Sequence, residues 1–408
     1  MPDNKADSLD QRLLAQDFYA DPYPTYRQLR EQDPVHWSDA WNCWILTRYG
    51  DVVASMHDPR LSNSRMPVYV QALPGDVLEE VCPLVNHISL WMGFSDPPQH
   101  TRLRRLISPD FTRRVTENLR PRIQELVEAL IDRVEPAGAM DIVHDFAYPL
   151  PVTVICELLG IPAADQARFK NWSEDVVAFL GTGRARADST RRAHQSLLEM
   201  NEYFRPLIAG RRQSPREDLL TDLICGDEGD PLSPDELLGM CISLLIAGHQ
   251  TTTHLIGNSV LALLRNPDQL EKLRKHPSLI VRALEELLRY DGPVQRNWRL
   301  ASQDLEISGR HIRKGQLILQ MLGAANRDPG EFFNPHPDQL EITRQPNRHV
   351  AFGYGVHYCL GAPLARLEGQ IALNILIQRL PDLNLRDDDL EWHRNMAFRS
   401  LRSLPVVF

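Results

Sequence analysis

The chain has 408 residues, 43% of them hydrophobic, and carries a formal net charge of −9 with a pI near 5.9. Such a length allows a large buried core and more than one domain, although large single folds exist. The acidic balance argues against a nucleic-acid partner, and because no run of about 18 apolar residues is present, the sequence predicts no membrane span.

Cysteine usage and the start of the chain both bear on its location. Residues 1–7 are polar and lack the apolar core of a secretory signal. The six cysteines show neither paired nor framework spacing and are predicted to be reduced thiols; they stand at positions 43, 82, 156, 225, 241 and 359. The sequence therefore predicts a cytoplasmic protein.

The first hundred residues alternate between regular and irregular segments. Residues 1–20 are expected to be a loose lead-in, followed by a helix over 21–33. Strand formers at 35–37 and 43–47 predict a short antiparallel pair, and a short helix follows it. Residues 62–91, with three prolines and scattered apolar patches, are expected to be an irregular surface loop.

A basic helix is predicted after two adjacent prolines, which suit a first helical turn. His100 and Arg104, four residues apart, share one face of it, and such a face is ordinarily just solvated. Residues 115–226 are mostly helical by their hydrophobic period, with a short strand over 139–143. Residues 181–190 lack periodicity and are a candidate mobile connection.

A long helix is predicted to begin at Ser233, where Pro234 and Glu236 supply a proline start and a capping box. It runs on the order of 30 residues, or roughly 45 Å. A polar stretch at 247–254 interrupts its apolar pattern, and the glycine and threonines there are costly by helix propensity. Either the threonine hydroxyls bond back to the carbonyls four residues earlier, or this face of the helix meets a buried reactive site.

The next helix carries Glu285, Glu286 and Arg289, and the spacing alone lets either glutamate pair with the arginine. Such a pair is ordinarily exposed and weak. Strand-like runs with turns at 308–310 and 314–315 then predict hairpins. The whole pattern is that of a mainly α-helical fold with a smaller β-rich part.

The stretch 352–366 carries the strongest chemical signal in the chain. Its glycines at 353, 355 and 361 permit tight bends and a close approach to a flat partner, and a helical period begins after them. Cys359 therefore precedes a helix N-terminus, which favours a thiolate over a thiol. This cysteine could be a metal ligand, a nucleophile or an inert core residue, the last being the commonest fate of a cysteine.

Five residues of this stretch follow the order F-x-x-G-x-H-x-C-x-G; they are Phe352, Gly355, His357, Cys359 and Gly361. The order resembles the haem-ligand loop of the cytochrome P450 family. This resemblance implies a cytochrome P450 fold in a single catalytic domain, 1–408, with haem b between the long helix and the loop. It makes Cys359 the axial ligand to the haem iron and places His357 against the cofactor.

The resemblance also implies roles for residues around the cofactor. The motif H-x-x-x-R implies that His100 and Arg104 hold one haem propionate, and Arg299 reaches the second. The motif A-G-x-x-T-T implies that Thr251 steadies dioxygen and relays protons. The family usually has an acid before this threonine, where the present chain has Gln250, whose amide cannot ionise near neutral pH.

Structural and substrate-lining positions follow from the same resemblance. E-x-x-R selects Glu286 and Arg289 as a buried pair bracing the ligand loop, while the usual third arginine is missing from its expected place, 337–340. Residues 62–91 are expected to roof the cavity. Seven further residues are expected to border the substrate: Ala247, Gly248, Val294, Gln295, Asn297, and, at the tip of a final hairpin, Met396 and Ala397.

The implied function is activation of O2 at the haem and oxygen insertion, by hydroxylation or epoxidation, into a small apolar molecule of natural-product biosynthesis or catabolism. Because no flavin- or ferredoxin-like sequence remains, electrons are expected from a separate ferredoxin or flavodoxin-type donor with its reductase. Arginines at 102, 105, 113 and 114 could receive that acidic donor. One alternative is a haem-thiolate enzyme that couples or desaturates its substrate without inserting oxygen. The other is a non-catalytic relative that binds a partner protein.

Overall fold

The computed structural model describes residues 3–181, 185–226, 229–330 and 332–408, and helices make up most of it. In chain order the α-helices are α1 (Asp3–Leu14), α2 (Tyr23–Gln32), α3 (Tyr49–His57), α4 (Met66–Val70), α5 (Gly75–Glu80), α6 (Cys82–Ser89), α7 (Gln99–Ile107), α8 (Arg113–Glu117), α9 (Arg120–Val134), α10 (Pro149–Leu158), α11 (Gln166–Leu180), α12 (Ala187–Gln213), α13 (Leu219–Cys225), α14 (Pro234–Leu264), α15 (Pro267–Lys275), α16 (Ile280–Asp291), α17 (Leu322–Ala325) and α18 (Ala362–Arg379). The strands are β1 (Val35–Ser38), β2 (Cys43–Leu46), β3 (Leu61–Ser62), β4 (Ala139–Asp141), β5 (Arg296–Ala301), β6 (Leu305–Ile307), β7 (Arg310–Ile312), β8 (Leu317–Met321), β9 (Asn384–Leu385) and β10 (Pro405–Val407). The predicted balance of many helices and a smaller β-rich part is confirmed.

The strands form small sheets at the periphery of the helical body. The largest has the order β1-β2-β8-β5-β3, with β2 and β8 parallel and the other pairs antiparallel. A second sheet has the order β4-β10-β9, and β6 pairs with β7 alone. The turn between β6 and β7 is Ser308-Gly309, where both residues have positive φ, as a tight two-residue hairpin requires. The predicted β1–β2 pair and this hairpin are both confirmed.

The start of the chain is more ordered than predicted. Instead of a loose lead-in, α1 is followed by a 3-10 turn at Gln16–Tyr19. Leu9 and Leu13, one helical turn apart, are buried together with Phe18 and Trp41 in an apolar cluster. The prediction is wrong because the helix is stabilised by tertiary contacts with residues distant in sequence.

The segment 62–91 is also more regular than predicted. It contains α4, α5 and α6 rather than an irregular loop. Pro67 and Pro83, which the sequence suggested were breaks, lie in the first turns of α4 and α6, where a proline costs no hydrogen bond. Helices this short show too few periods for the hydrophobic pattern to reveal them.

The middle of the chain follows the sequence-based expectations more closely. Residues 115–226 are largely helical and β4 lies where the short strand was predicted. The candidate mobile connection, 181–190, is helical from Ala187 onward. Its residues 182–184 lie outside the described part of the chain.

The long helix α14 runs through the centre of the molecule. Its predicted capping box is present: the Ser233 hydroxyl accepts from the Glu236 N–H at 3.2 Å, and the Glu236 carboxylate accepts from the Ser233 N–H at 2.9 Å. The helix has 31 residues, or about 46 Å of length, and packs against α10, α16 and α18. Within the described ranges, no helix combines the length and the apolar character needed to cross a membrane.

Candidate functional site

A cavity lies between α14 and the loop that precedes α18. Gln250 and Thr251 of α14 line one side, and Cys359 with its neighbours lines the other. The arginines at 65, 104 and 299 also reach it. The structure therefore brings together the polar turn of the long helix and the cysteine loop, as the motifs predicted.

The cysteine loop owes its shape to two glycines. Gly353 and Gly355 have φ of +70° and +71°, a region that disfavours residues with a side chain. A Cβ on Gly355 would also lie 3.2 Å from the Met56 carbonyl oxygen. Gly361 differs, because its φ is −78° and an added Cβ would meet no atom of the described residues within 4 Å. No described residue therefore requires glycine at 361, and the position lines the cavity.

The Cys359 thiol is less acidic than its position predicted. Burial raises its pKa, and the backbone N–H groups of Gly361 and Ala362 lower it, together with the charges of Arg104 and Arg366. The start of α18 thus acts in the predicted direction, but desolvation outweighs it. A metal cation bonded to the sulfur would supply the missing stabilisation of a thiolate.

Two cations, the buried Arg299 and the half-buried Arg65, line the cavity near the cysteine loop. Burial lowers the pKa of Arg299 to about 10, and burial together with the neighbouring Arg299 charge lowers that of Arg65 to about 9. Among the described residues, neither arginine has a carboxylate within 4.0 Å; they donate to the carbonyls of Trp298 and Asn63. A buried charge without a partner is unfavourable, so this part of the cavity suits an anionic group such as a haem carboxylate.

Arg65 was not found by sequence reasoning. It lies just before α4 in a segment whose sequence matches no motif, and only its position opposite Arg299 reveals it. No local pattern marks it, because three polar residues, 62–64, precede it and an apolar run follows.

His100 and Arg104 occupy one face of α7, as predicted, and both line the cavity. His100 is buried, and its Nδ1 has no hydrogen-bond partner among the described residues. Its ring lies 4.1 Å from that of His357, centroid to centroid. Burial lowers the pKa of both histidines, that of His357 to about 3, so both rings are neutral near pH 7 and can act as hydrogen-bond donors.

Arg104 has a second, structural contact. One of its guanidinium nitrogens donates to the carbonyls of Val356 and Tyr358, at 3.1 and 2.7 Å. The arginine therefore holds the backbone on both sides of His357 and next to Cys359. A substitution of Arg104 would disturb the loop as well as the cavity.

The polar turn of α14 shows both features that the sequence offered as alternatives: a threonine hydroxyl bonded back to a carbonyl, and a face that meets a cavity. The Thr251 hydroxyl donates to the Ala247 carbonyl at 3.0 Å, four residues earlier, and the residue also lines the cavity. Ala247 and Gly248 line it too. A Cβ on Gly248 would lie 2.9 Å from a side-chain carbon of Ile155, so the mid-helix glycine lets α10 pack closely against α14.

Two histidines near this turn, His249 and His254, lie outside the described lining of the cavity. His249 donates from Nδ1 to the Leu245 carbonyl at 2.7 Å. Burial lowers its pKa to about 4 and that of His254 to about 3. Neither is among the described residues that line the cavity, so neither replaces the acid that Gln250 lacks.

The predicted substrate-lining positions divide into two groups. Val294 and Asn297 line the cavity, whereas Gln295, Met396 and Ala397 do not belong to its described lining. Gln295 donates instead to the Gly292 carbonyl at 2.8 Å and packs so tightly on α17 that a Cβ on Gly323 would lie 2.0 Å from its amide oxygen. The structure therefore does not place these three residues in the described lining of this cavity.

Phe398 lines the cavity where Met396 and Ala397 were predicted to do so. It lines the cavity and forms an antiparallel bridge with Val294. Residues opposite one another in such a bridge project to the same side, so the pairing with Val294 is the signal that could have identified Phe398. Met396 instead packs against the apolar cluster around Trp41.

The Glu286–Arg289 pair is completely buried, as predicted. Its two N–O distances are 2.7 and 2.8 Å. Arg344 donates to the same carboxylate at 3.1 Å, so the missing third arginine lies beyond the expected 337–340 segment. Glu285 pairs instead with Arg366 at 2.7 Å, which ties α16 to the helix that follows Cys359.

Arg102 and Arg105 are not an open docking surface. Both pair with Asp230, and Arg102 also pairs with Glu236 at the start of α14. Their charges are partly compensated within the protein by these carboxylates. Arg113 and Arg114 are exposed at the start of α8.

Comparison with known proteins gives the family. A family model described as Cytochrome P450 matches residues 87–389. Cytochrome P450 monooxygenase PikC of Streptomyces venezuelae is 41% identical over 412 residues, covering 98% of this chain and 94% of that protein. Vitamin D(3) 25-hydroxylase of Pseudonocardia autotrophica is 40% identical over 402 residues, covering 97% and 96%. The crystal structure of P450BioI in complex with an acyl carrier protein ligated to hexadec-9Z-enoic acid matches with a TM-score of 0.89 at 39% identity, covering 97% of this chain and 100% of that one. The chain therefore belongs to the cytochrome P450 family of haem b monooxygenases.

Proposed function

We propose that this enzyme inserts one oxygen atom of O2 into a small apolar molecule, by hydroxylation or epoxidation, within a single catalytic domain spanning residues 1–408. The observation that supports the proposal is that Cys359 and Thr251 lie on opposite walls of one cavity. Haem b bound through a thiolate supplies the reductive activation of O2. The remaining lining is mainly apolar, including Ile155, Val177 and Leu180, which suits an apolar substrate.

The substrate we propose belongs to natural-product biosynthesis or catabolism. The compared relatives are named for vitamin D(3) hydroxylation and for a complex with an acyl chain on a carrier protein, and the skeletons of both ligands are largely hydrocarbon. The cavity of the present chain has the matching character because aromatic and aliphatic side chains outnumber charged ones away from the cysteine loop.

In this proposal the chain contributes an axial thiolate and a set of charges to the cofactor. Cys359 ligates the iron. The two haem propionates are held by Arg65, Arg104, Arg299 and the His100 ring. His357 packs beside the propionates. The support is the absence of a carboxylate partner for Arg65 and Arg299 within the described chain.

Removal of the buried arginines is expected to weaken haem binding. A hydrogen bond to a charged group contributes about 1.5–3 kcal/mol, so Arg299→Ala and Arg65→Ala should each raise the haem dissociation constant by roughly tenfold or more. The double variant should lose more than either single one. Haem per chain, measured in the purified protein, and the rate of haem transfer to an acceptor protein are the measurements.

Arg122→Ala is the matched control for those variants. Its guanidinium forms two ion pairs on the surface, with Glu157 and Glu125, and lies outside the described cavity lining. It should keep full haem occupancy. Unchanged haem content in the Arg65/Arg299 double variant would remove the propionate role from both residues.

Proton delivery is proposed to depend on Thr251 and water. Gln250 lines the cavity beside it, but an amide can only orient a hydroxyl or a water and cannot exchange a proton near neutral pH. The nearby His249 and His254 are buried with lowered pKa values. The hydroxyl of Thr251, released from its bond to the Ala247 carbonyl, is the group placed to act.

Thr251→Ala is expected to lower the product formed per electron to well below half of the wild-type value, with peroxide making up the difference. Gln250→Glu is expected to keep or raise that yield, because a carboxylate adds a group that can exchange protons. The measurement is product, peroxide and electron consumption under 18O2. One labelled oxygen atom in the wild-type product supports oxygen insertion.

An unlabelled, coupled or desaturated product would instead favour the non-inserting alternative. Full coupling in Thr251→Ala would point the same way, because it would show that the threonine does not serve proton delivery. Ser243→Ala is a suitable control: Ser243 also lines the cavity from α14, and its hydroxyl bonds to the Met240 carbonyl.

Electrons are proposed to come from a separate ferredoxin or flavodoxin-type protein with its reductase. On the outer side of the cysteine loop, Tyr354, Val356 and Tyr358 are exposed by 45%, 55% and 37%. Arg113 and Arg114 are exposed on α8, which packs against the helix that follows this loop. An exposed loop of this kind together with these cations fits an acidic protein with an apolar centre. We place the docking site there rather than at Arg102 and Arg105.

A further inference from the structure

The last wall of the cavity is built where two distant parts of the chain meet. Val177 and Leu180, at the end of α11, line the cavity, and so does Phe398, near the C-terminus. Between these two groups lies a contact formed by Asn395 and Gly181. This contact joins the end of α11 to the segment that carries Phe398.

Asn395 organises the backbone that carries Phe398. Its side-chain oxygen accepts from the N–H groups of Ala397 at 2.8 Å and Phe398 at 3.0 Å. Its side-chain nitrogen donates to the Val177 carbonyl at 3.5 Å, a long bond. The same short segment is joined to α11 by the Met396 N–H, which donates to the Gly181 carbonyl at 2.8 Å.

Gly181 is required here for space rather than for backbone freedom. Its φ is −89°, which any residue adopts. An added Cβ would lie 2.2 to 2.5 Å from the amide atoms of Asn395, far inside contact distance. The Asn395 amide therefore lies flat against the α-carbon of Gly181, and only glycine permits this.

The other side of Phe398 is fixed independently. The Arg399 N–H donates to the Pro293 carbonyl at 2.8 Å, and the Arg399 guanidinium pairs with the buried Asp291 at 2.6 Å. Because this side cannot yield, a displacement of Asn395 must be taken up at Ala397 and Phe398. The Phe398 ring would then move relative to the cavity.

We infer that Asn395 is a positioning residue for substrate size: seated against Gly181, it fixes Phe398 and the end of α11 as one wall of the cavity. The inference rests on the proposed function, because it assumes that the substrate occupies this cavity. It predicts that large ligands respond to a change at Gly181 or Asn395, whereas small ligands that reach only the iron do not.

The test uses the haem-loaded full chain and azoles of increasing size that bind haem iron: imidazole, 4-phenylimidazole and clotrimazole. Gly181→Ala should change the ratio of clotrimazole to imidazole dissociation constants by about tenfold, with the imidazole constant and the haem spectrum unchanged. Asn395→Ala should change the ratio in part, and Asn395→Asp should change it less, because a carboxylate still accepts from the N–H groups of Ala397 and Phe398 although it loses the long bond to the Val177 carbonyl.

The double variant separates this mechanism from a general disturbance. The Asn395→Ala background lacks the three amide atoms that an added methyl group at 181 would meet first, so Gly181→Ala should have little further effect there. Gly50→Ala is the matched control, since an added Cβ at Gly50 would meet no atom of the described residues within 4 Å.

An unchanged ratio in both single variants, or equal effects of the methyl group in both backgrounds, would overturn the inference. Should Gly181→Ala fail to fold, the comparison of Asn395→Asp with Asn395→Ala decides: equal ratios in these two overturn it. Failure of the wild-type protein to shift its haem spectrum with imidazole would contradict the proposed function instead.

Discussion

Replacement of Cys359 by serine is expected to abolish turnover and the absorbance band of a haem-thiolate. Serine has the shape of cysteine but its hydroxyl is a far weaker acid, so it does not supply the electron-donating sulfur on which O–O cleavage depends. Activity should fall by at least about a hundredfold, which corresponds to an increase of roughly 2.7 kcal/mol or more in the activation free energy. The measurement is the spectrum of the reduced, carbon-monoxide-bound protein, whose Soret band should lose its strong red shift, together with the turnover rate.

Two other cysteines give the control for that result. Cys82 and Cys225 are exposed, in α6 and at the end of α13, and their serine variants should keep both the band and the rate. Cys359→Ser with full activity would contradict the assignment of the axial ligand and with it the proposed function.

Local patterns in the sequence predicted those parts of the site whose physics is local. The capping box of α14 needs only Ser233 and Glu236, three residues apart, and it is present. The tight turns at Gly353 and Gly355 depend on the φ of single residues. The pair Glu286–Arg289 lies within one turn of α16. In each case a short stretch contains everything that determines the geometry.

Contacts between distant segments were beyond such patterns. Arg344 contacts Glu286 although the two are 58 residues apart, and nothing in the 337–340 segment predicts this contact. Arg65 is defined by its proximity to Arg299 in another element. Their identification requires the fold, because burial and partner choice are tertiary properties.

Side-chain direction in irregular backbone was a second obstacle. The final segment was correctly predicted to approach the cavity, but Phe398 lines it rather than Met396 and Ala397. Along an extended chain, a shift of one residue exchanges the face that points inward. Only the bridge of Phe398 with Val294 settles the register.

Glu286→Gln is expected to destabilise the protein more than any surface charge variant. The carboxylate is completely buried and accepts from Arg289, Arg344, the Glu341 N–H and Asn347. Removing one charge of a buried ion pair costs about 3–5 kcal/mol because the remaining charges lose their partner. That is a large part of a total stability of about 5–15 kcal/mol. The urea midpoint, followed by circular dichroism, should fall by roughly 1 M.

The exposed Glu271–Lys275 pair on α15 is the matched control for Glu286, since it also joins a glutamate to a cation about one helical turn away, with both side chains at least half exposed. Glu271→Gln should change stability by less than about 0.5 kcal/mol.

The double variant Glu286→Leu/Arg289→Met tests whether the pair acts alone. A buried ion pair can often be replaced by apolar residues without loss, but here Arg344 would be left facing an apolar side chain, and the Asn326 and Pro337 carbonyls would lose the donor that Arg289 supplies. The double variant should therefore remain as unstable as Glu286→Gln. Recovery of wild-type stability in it would show that the network is a dispensable pair, and that Arg344 does not depend on the carboxylate.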